Sequence, residues 1–497
     1  MYTHNNEQST TAAAIIEEAP AGTEPVYVAT EHTTAERKPI LQHDSILSSL
    51  LTELKPIDFY EKAGLSDGEN ITKRHCIVIS IEQILAIAKQ NLWSLCMSDG
   101  FVYCFNGAYW KQITKGELLH FLGQGAEKLG VDAYDARFYM FRESLLKQFM
   151  ATAYLPKPQR RADEVLINLQ NGTYVITPQS QFLRDFERSD FMTYQLPFIY
   201  SPEATAPLFQ RYLDRVLPDT KQQQILSEFI AYVFIRQKTL KLEKSLILYG
   251  GGANGKSVFF DIITALLGSE NVSNFSLQSL TNESGYQRAK LTNKLLNYAS
   301  EISPNMDSTL FKQLVSREPV EARLPYGEPF VLEDYAKLLF NTNELPRDVE
   351  QNEAFFRRFI ILHFNVTIPE GERDPELANK IIAAELAGVF NWVLEGLKLL
   401  LEQKKFTYSA AIDNLVQQYR QQSDSVQLFL MDAGYVKSTQ GQVALKEIYY
   451  NYKQYCTESG YRACSLKVCS ERLRNQGYEL VRKKHGFMVG AEKKTFF

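Results

Sequence analysis

One eight-residue segment constrains this chain more than any other. Gly250-Gly-Gly-Ala-Asn-Gly255-Lys256-Ser257 satisfies G-x-x-x-x-G-K-[ST] at every fixed position. Its setting matters as much as its letters. Ser245 to Tyr249 is an apolar run of strand length, and Val258, Ile262 and Leu266 recur at helical spacing after the motif. A strand feeding a glycine-rich turn and then a helix aims backbone N–H groups and the positive helix end at one point, where phosphate oxygens bind. The segment predicts an α/β sheet and a nucleoside-triphosphate site formed by Gly250, Gly251, Gly252, Ala253, Asn254, Gly255, Lys256 and Ser257. Lys256 is expected to reach the β- and γ-phosphates and Ser257 to hold Mg²⁺.

The surroundings extend that expectation. Leu246–Tyr249, Leu295–Ala299, Lys337–Phe340 and Phe359–Phe364 read as short apolar strands alternating with helices, the signature of a wound α/β sheet. Glu301 ends the second of these; it could hold Mg²⁺ or align water, or be an ordinary acid at a strand end. Asn343 follows the third and could sense the γ-phosphate, orient water, or serve the turn before Pro346. Arg357 and Arg358 precede the fourth. Arginines there could stabilise phosphate charge, often from a neighbouring subunit, or lie on the surface with no such role.

The rest of the chain divides around this core. Residues 1–42 show no sustained periodicity and are expected to form a flexible tail. Residues 43–236 read as an α+β module. They carry a helix near 80–92, a hairpin of Phe101–Phe105 with Ala108–Trp110 turning at Asn106-Gly107, helices over about 116–155, and a second hairpin of Glu164–Leu169 with Thr173–Ile176. A helical stretch from about Pro207 to Arg236 completes it. The ATPase core is expected over 237–420, with a polar linker at Gln417 to Ser425. Residues 421–497 read helix, helix, strand pair, which suggests a winged helix.

Composition limits the function classes. Hydrophobic residues make up 45% and charged residues 23% of the 497, as in globular proteins, and no apolar run reaches the ~18 residues of a membrane span. The N-terminus lacks a basic segment followed by an apolar one, and six cysteines are sparse, so a cytoplasmic location without membrane partners is expected. Charge is uneven: −4 over residues 1–40, −7 over 41–436, and +7 from Lys437 to the end. A basic terminal module on an acidic body suggests localised nucleic-acid contact. There, Lys467 and Arg474 face away from a buried stripe of Leu466, Cys469 and Leu473, and Arg482, Lys483 and Lys484 sit at the following turn. A basic face of this kind could touch duplex or forked DNA, or only solvent or a protein. Cys456, Cys464, Cys469 and His485 match no closely paired zinc spacing.

In order, GGGANGKS, a strand ending in SE, LFKQLVSREPVEARLPYGEPF, AKLLFNTNELP and FFRRFIILHF resemble the motifs of superfamily 3 helicases. More narrowly they resemble the phage/plasmid primase-helicase family, which includes the poxvirus primase-helicase. The hairpins NGAYW and INLQNGTYVIT and the segment YSPEATAPLFQRYL resemble the N-terminal domain that precedes such helicases, and the C-terminal segment resembles their winged-helix tail. The likeness spans about residues 90–497. It implies a P-loop, AAA+-like superfamily 3 core with an α+β helicase-associated domain ahead of it and a winged helix behind. It further implies a homo-hexameric ring that hydrolyses ATP with Mg²⁺ at subunit interfaces and moves 3′-to-5′ on single-stranded DNA. Carried over by position, Lys256 and Ser257 hold phosphate and Mg²⁺, Glu301 is the acid of the second motif, and Asn343 is the sensor. Arg358 is the arginine finger, with Arg357 the alternative. Lys312, Arg323 and Tyr326 become candidate DNA contacts.

The pattern also departs from the family. Many members carry two acids in the second motif, whereas Ser300 precedes the single Glu301. Only about 80 residues precede the helicase-associated region, too few for the primase-polymerase domain of larger relatives, so a separate primase or polymerase is the expected partner. Two rival readings are an ATP-regulated DNA-binding initiator or loader, and a defence or regulatory ATPase.

Overall fold

The computed structural model describes residues 40–66, 68–156, 161–300, 302, 306–325, 327–346 and 349–494. The expected tail, apart from its last three residues, together with Glu301 and Tyr326, lies outside the described residues.

The N-terminal part is mainly helical. Helices His43–Glu53, Lys73–Gln90, Lys115–Leu129 and Tyr139–Thr152 pack against an antiparallel sheet of Ser94–Ser98, Phe101–Phe105 and Trp110–Ile113. The Thr114 side chain caps Lys115–Leu129 reciprocally with Glu117, a legible signal. Thr72 does the same with His75, so that helix starts at Lys73, earlier than its apolar pattern shows. The first hairpin also differs from expectation. Asn106 Oδ1 accepts from the N–H groups of both Ala108 and Tyr109 at 2.9 Å, so Ala108 and Tyr109 lie in the turn and the next strand begins at Trp110. A second antiparallel sheet joins Val165–Leu169, Gly172–Ile176 and Gln181–Arg184. The stretch expected to run from Pro207 to Arg236 is two helices, α1 (Pro207–Val216) and α2 (Thr220–Tyr232). Asp219 caps the second through Lys221 N–H at 2.9 Å, and Pro218 separates them.

The central sheet has five parallel strands, β1 (Ser245–Tyr249), β2 (Val272–Ser273), β3 (Leu296–Ala299), β4 (Lys337–Thr342) and β5 (Phe359–His363). Their spatial order is β5-β1-β4-β3-β2. Both faces are covered, which explains the unbroken apolar runs in sequence. Leu246 and Leu248 join a cluster with α1, α2, α3 (Lys256–Leu267) and the helix Leu386–Gln403, while Ile247 points to a second cluster with Phe311 and Leu314 of α4 (Ser308–Ser316). Fully burying each such side chain stabilises the fold by roughly 2 kcal/mol.

Two expectations about boundaries need correction. The larger cluster runs from Val165 to Ile412, so the second antiparallel sheet and α1–α2 pack with the nucleotide core, and no core boundary falls at 236/237. Gln417 to Ser425 is no linker. The helix Ala410–Gln422 continues through it, Tyr419 packs on the Phe356 and Phe359 rings, and Asp424 caps the helix Ser425–Asp432. These polar residues look like linker in sequence because their partners are distant.

In the C-terminal part, Ser425–Asp432, Leu445–Ser459 and Leu466–Asn475 pack against a sheet in which Val443–Ala444, Gly486–Val489 and Leu480–Lys483 lie side by side in that order. Arg472 pairs with Asp424 at 3.1 Å, both largely buried, and fixes this part to the helix before it. Among the described residues no single helix is long and apolar enough to cross a membrane.

Candidate nucleotide site

The glycine loop joins β1 to α3 across the C-terminal edge of the sheet. Two of its glycines are required by close approach. A Cβ on Gly250 stands 2.3 Å from the Phe364 carbonyl oxygen, and one on Gly255, at φ 87°, stands 2.7 Å from Val216. The loop is pinned from several directions. Gly250 N–H donates to Thr342 O at 3.1 Å and Ile368 N–H donates to Ala253 O at 2.8 Å. The Tyr212 hydroxyl donates to Gly255 O at 2.8 Å, and Asn254 Nδ2 donates to Phe364 O at 2.9 Å. At Gly251 and Gly252 the loop is open, with nothing within 4 Å of a built Cβ.

Lys256 is buried inside this frame. Its ammonium donates to Gly250 O at 2.6 Å and Asn254 Oδ1 at 3.1 Å, both neutral acceptors. Among the described residues no carboxylate pairs with it. Burial lowers its pKa below the usual lysine value. Burial and the Lys256 charge also lower the pKa of His363, which stacks on Tyr249 with centroids 4.8 Å apart. A buried cation with only dipolar partners is stabilised by an arriving anion, so the donor set suits phosphate.

The other expected members gather at the same edge. Ser257 is exposed on the first turn of α3, and Asn343 is exposed immediately after β4, whose last residue Thr342 stands level with Tyr249. Glu301 lies outside the described residues, two positions past the end of β3. Among the described residues no three His, Cys, Asp or Glu side chains cluster as metal ligands. A divalent ion here would therefore depend on Ser257, Glu301 and the phosphate oxygens themselves.

The arginine pair lies at the opposite end of the sheet, before β5, and its two members differ. Arg358 is buried; its guanidinium donates to Ser316 Oγ at 2.8 and 3.3 Å and to the Ala354 carbonyl. Arg357 keeps an exposed side chain (57%), with one carboxylate contact, Glu243 at 3.3 Å. Of the two, Arg358, the residue expected as the finger, is held inside the fold, and Arg357, the alternative, is the exposed one.

The candidate DNA contacts also separate. Lys312 is bound to Glu350 at 2.9 Å on the partly buried side of α4, a structural ion pair and not a free cation. Arg323 is exposed at the end of a hairpin formed by Val320–Arg323 and Pro329–Leu332, with its Nε donating to Gly327 O at 3.1 Å. Tyr326 lies outside the described residues. Lys467, Arg474, Arg482, Lys483 and Lys484 are all exposed, the first two on the helix Leu466–Asn475 and the others at the following strand pair. Sequence reasoning missed Tyr212, His363 and Ser316. All three lie in segments that carried the family likeness, YSPEATAPLFQRYL, FFRRFIILHF and LFKQLVSREPVEARLPYGEPF, which could have flagged them.

Residues 83–218 match the family model described as D5 N terminal like, and residues 248–358 match one described as a family of unknown function, DUF5906. Among solved structures the chain is similar to the A-form apo structure of the NrS-1 C-terminal region, at 14% identity and a TM-score of 0.48, covering 83% of this chain and 98% of that one. A second apo structure of that region gives 14% identity and a TM-score of 0.48, covering 82% and 97%. The D5-like match thus lies ahead of the match that carries the glycine loop, in the order that the resemblance to phage primase-helicases implies.

Proposed function

We propose that the chain is an ATP-dependent DNA helicase of superfamily 3 that acts in replication of a phage, plasmid or mobile element, as a homo-hexameric ring on single-stranded DNA. The observation that carries this reading is Lys256, buried in a glycine loop with only neutral partners among the described residues. The parallel strand order β5-β1-β4-β3-β2, with the loop on β1 between β5 and β4, supports a P-loop core of AAA+ type. The arrangement of helices and a three-stranded sheet after Ser425 supports a winged-helix module.

In this reading Lys256 and the backbone N–H groups of the loop hold the triphosphate of ATP, and Ser257 with Glu301 holds Mg²⁺. Asn343, beside the loop, senses the γ-phosphate. Arg357 enters the neighbouring subunit's site, where an added cation stabilises the charge that develops on the transferred phosphoryl group. Arg323 at its hairpin contacts the strand in the ring, and the exposed cations of the C-terminal module contact phosphates at the fork without reading sequence.

The basic C-terminal module also suits a DNA-binding initiator or loader in which ATP controls assembly. Unwinding of a forked duplex separates the two. Strand separation that requires ATP supports the helicase; tight fork binding with no strand separation supports the loader.

A further inference from the structure

The arginine turn and the hairpin meet at a residue that the proposed function leaves unused. Ser316 is fully buried at the end of α4, and its Oγ accepts two bonds from the Arg358 guanidinium, at 2.8 and 3.3 Å. The Arg358 carbonyl in turn accepts from the Ser245 N–H at 2.8 Å and the Ser245 hydroxyl at 3.2 Å. Ser245 is the first residue of β1, the strand that ends in the glycine loop. On its other side Ser316 leads directly into the hairpin. Arg317, at φ 53°, turns the chain out of α4, and its guanidinium pairs with Asp334 just past the second hairpin strand. The Tyr335 hydroxyl donates to Glu318 O at 2.9 Å and to Gln313 O at 3.2 Å. The hairpin is closed at its base, and that base is tied to Arg358.

We propose that Ser316 is a positioning residue that couples the Arg357–Arg358 turn to the hairpin bearing Arg323. Displacement of the turn against a neighbouring subunit's nucleotide would then be delivered to the DNA-facing strands. A paired bond from a guanidinium to one buried hydroxyl holds orientation as well as distance, which makes it suited to transmitting movement. Ser316 bonds the Arg358 guanidinium and not the Arg357 side chain that enters the neighbouring site, so its loss is expected to weaken the DNA response more than hydrolysis. The inference rests on the helicase reading.

The test is ATP turnover by the full chain with and without single-stranded DNA, comparing wild type, Ser316→Ala, Ser316→Thr and Asp334→Asn. Ser316→Ala is expected to keep basal turnover within about twofold while DNA stimulation falls roughly three- to tenfold. Ser316→Thr, which restores the hydroxyl, should recover most of the stimulation. Asp334 has a 63% exposed side chain, so Asp334→Asn should fold and should also lower stimulation. Ser316→Ala combined with Arg323→Ala should show no loss beyond Arg323→Ala alone. Stimulation unchanged in Ser316→Ala, or losses that simply add in the double variant, overturn the coupling and leave the helicase reading standing. If Ser316→Ala fails to fold, wild-type stimulation in Asp334→Asn overturns it. Wild-type turnover indifferent to DNA overturns both.

Discussion

The two ends of the five-stranded sheet hold buried cations under opposite conditions. At the end where β1 enters the glycine loop, Lys256 meets only Gly250 O and Asn254 Oδ1 among the described residues. At the other end carboxylates stand beside the cations. Glu243 lies within 3.3 Å of Arg357, 3.6 Å of Arg358 and 3.1 Å of Lys241, while Arg317 pairs with Asp334. Lys337, buried within the sheet, also has neutral partners, Ile235 O at 3.1 Å and the Tyr232 ring at 3.8 Å, but it lies outside any glycine loop. The arginine end is rich in ion pairs, whereas among the described residues no carboxylate pairs with Lys256 in the glycine loop. What sets Lys256 apart from Lys337 is the open glycine loop around it, since a buried cation beside free backbone N–H groups suits an arriving anion.

The comparison can be broken in four ways, beginning with the largest expected effect. Arg357→Ala should lower ATP turnover about 1000-fold and leave nucleotide affinity intact, as removal of a transition-state cation does; steady-state turnover and equilibrium nucleotide binding measure the two halves. Gly250→Ala drives a Cβ into the Phe364 carbonyl and should cost about 2–4 kcal/mol in a urea unfolding series, with loss of nucleotide binding. Arg358→Ala leaves Ser316 and the Ala354 carbonyl without their guanidinium and should cost about 2 kcal/mol in the same series. If Arg358→Ala were instead fully stable, the partnered end would not be the structural one.

The smallest effect is on pH. The native pKa of Lys256 is lowered by burial, so the unfolded chain binds more protons below the ordinary value of 10.5. Its charged form therefore penalises the native state at lower pH, and the penalty fades as pH rises toward that value. Nucleotide-free wild type should gain slightly more stability toward pH 10 than Lys256→Met does. Melting temperatures of the two proteins across that range check the sign.

How much of this was legible in the sequence depends on how far away the partners are. The loop and the four main strands were legible because glycine spacing and apolar runs are local properties, and β1, β3, β4 and β5 lie where the runs do. The hairpin at Asn106 was misplaced by two residues because one amide side chain closes the turn. Ser423 to Ser425 read as linker although Asp424 caps one helix and binds Arg472 of another. Which of two adjacent arginines is buried cannot be found from their order; it depends on Ser316, some 40 residues earlier. The N-terminal core is equally non-local, since its division from the nucleotide core falls between Ala153 and Val165 and not at a composition change.

The central claim is that the loop end of the sheet binds ATP and drives work on DNA. It is tested most directly by ATP turnover with and without single-stranded DNA in wild type and Lys256→Ala. The account predicts turnover that single-stranded DNA strongly stimulates in wild type and that Lys256→Ala abolishes. Turnover that persists in Lys256→Ala, or that ignores DNA in wild type, would contradict it.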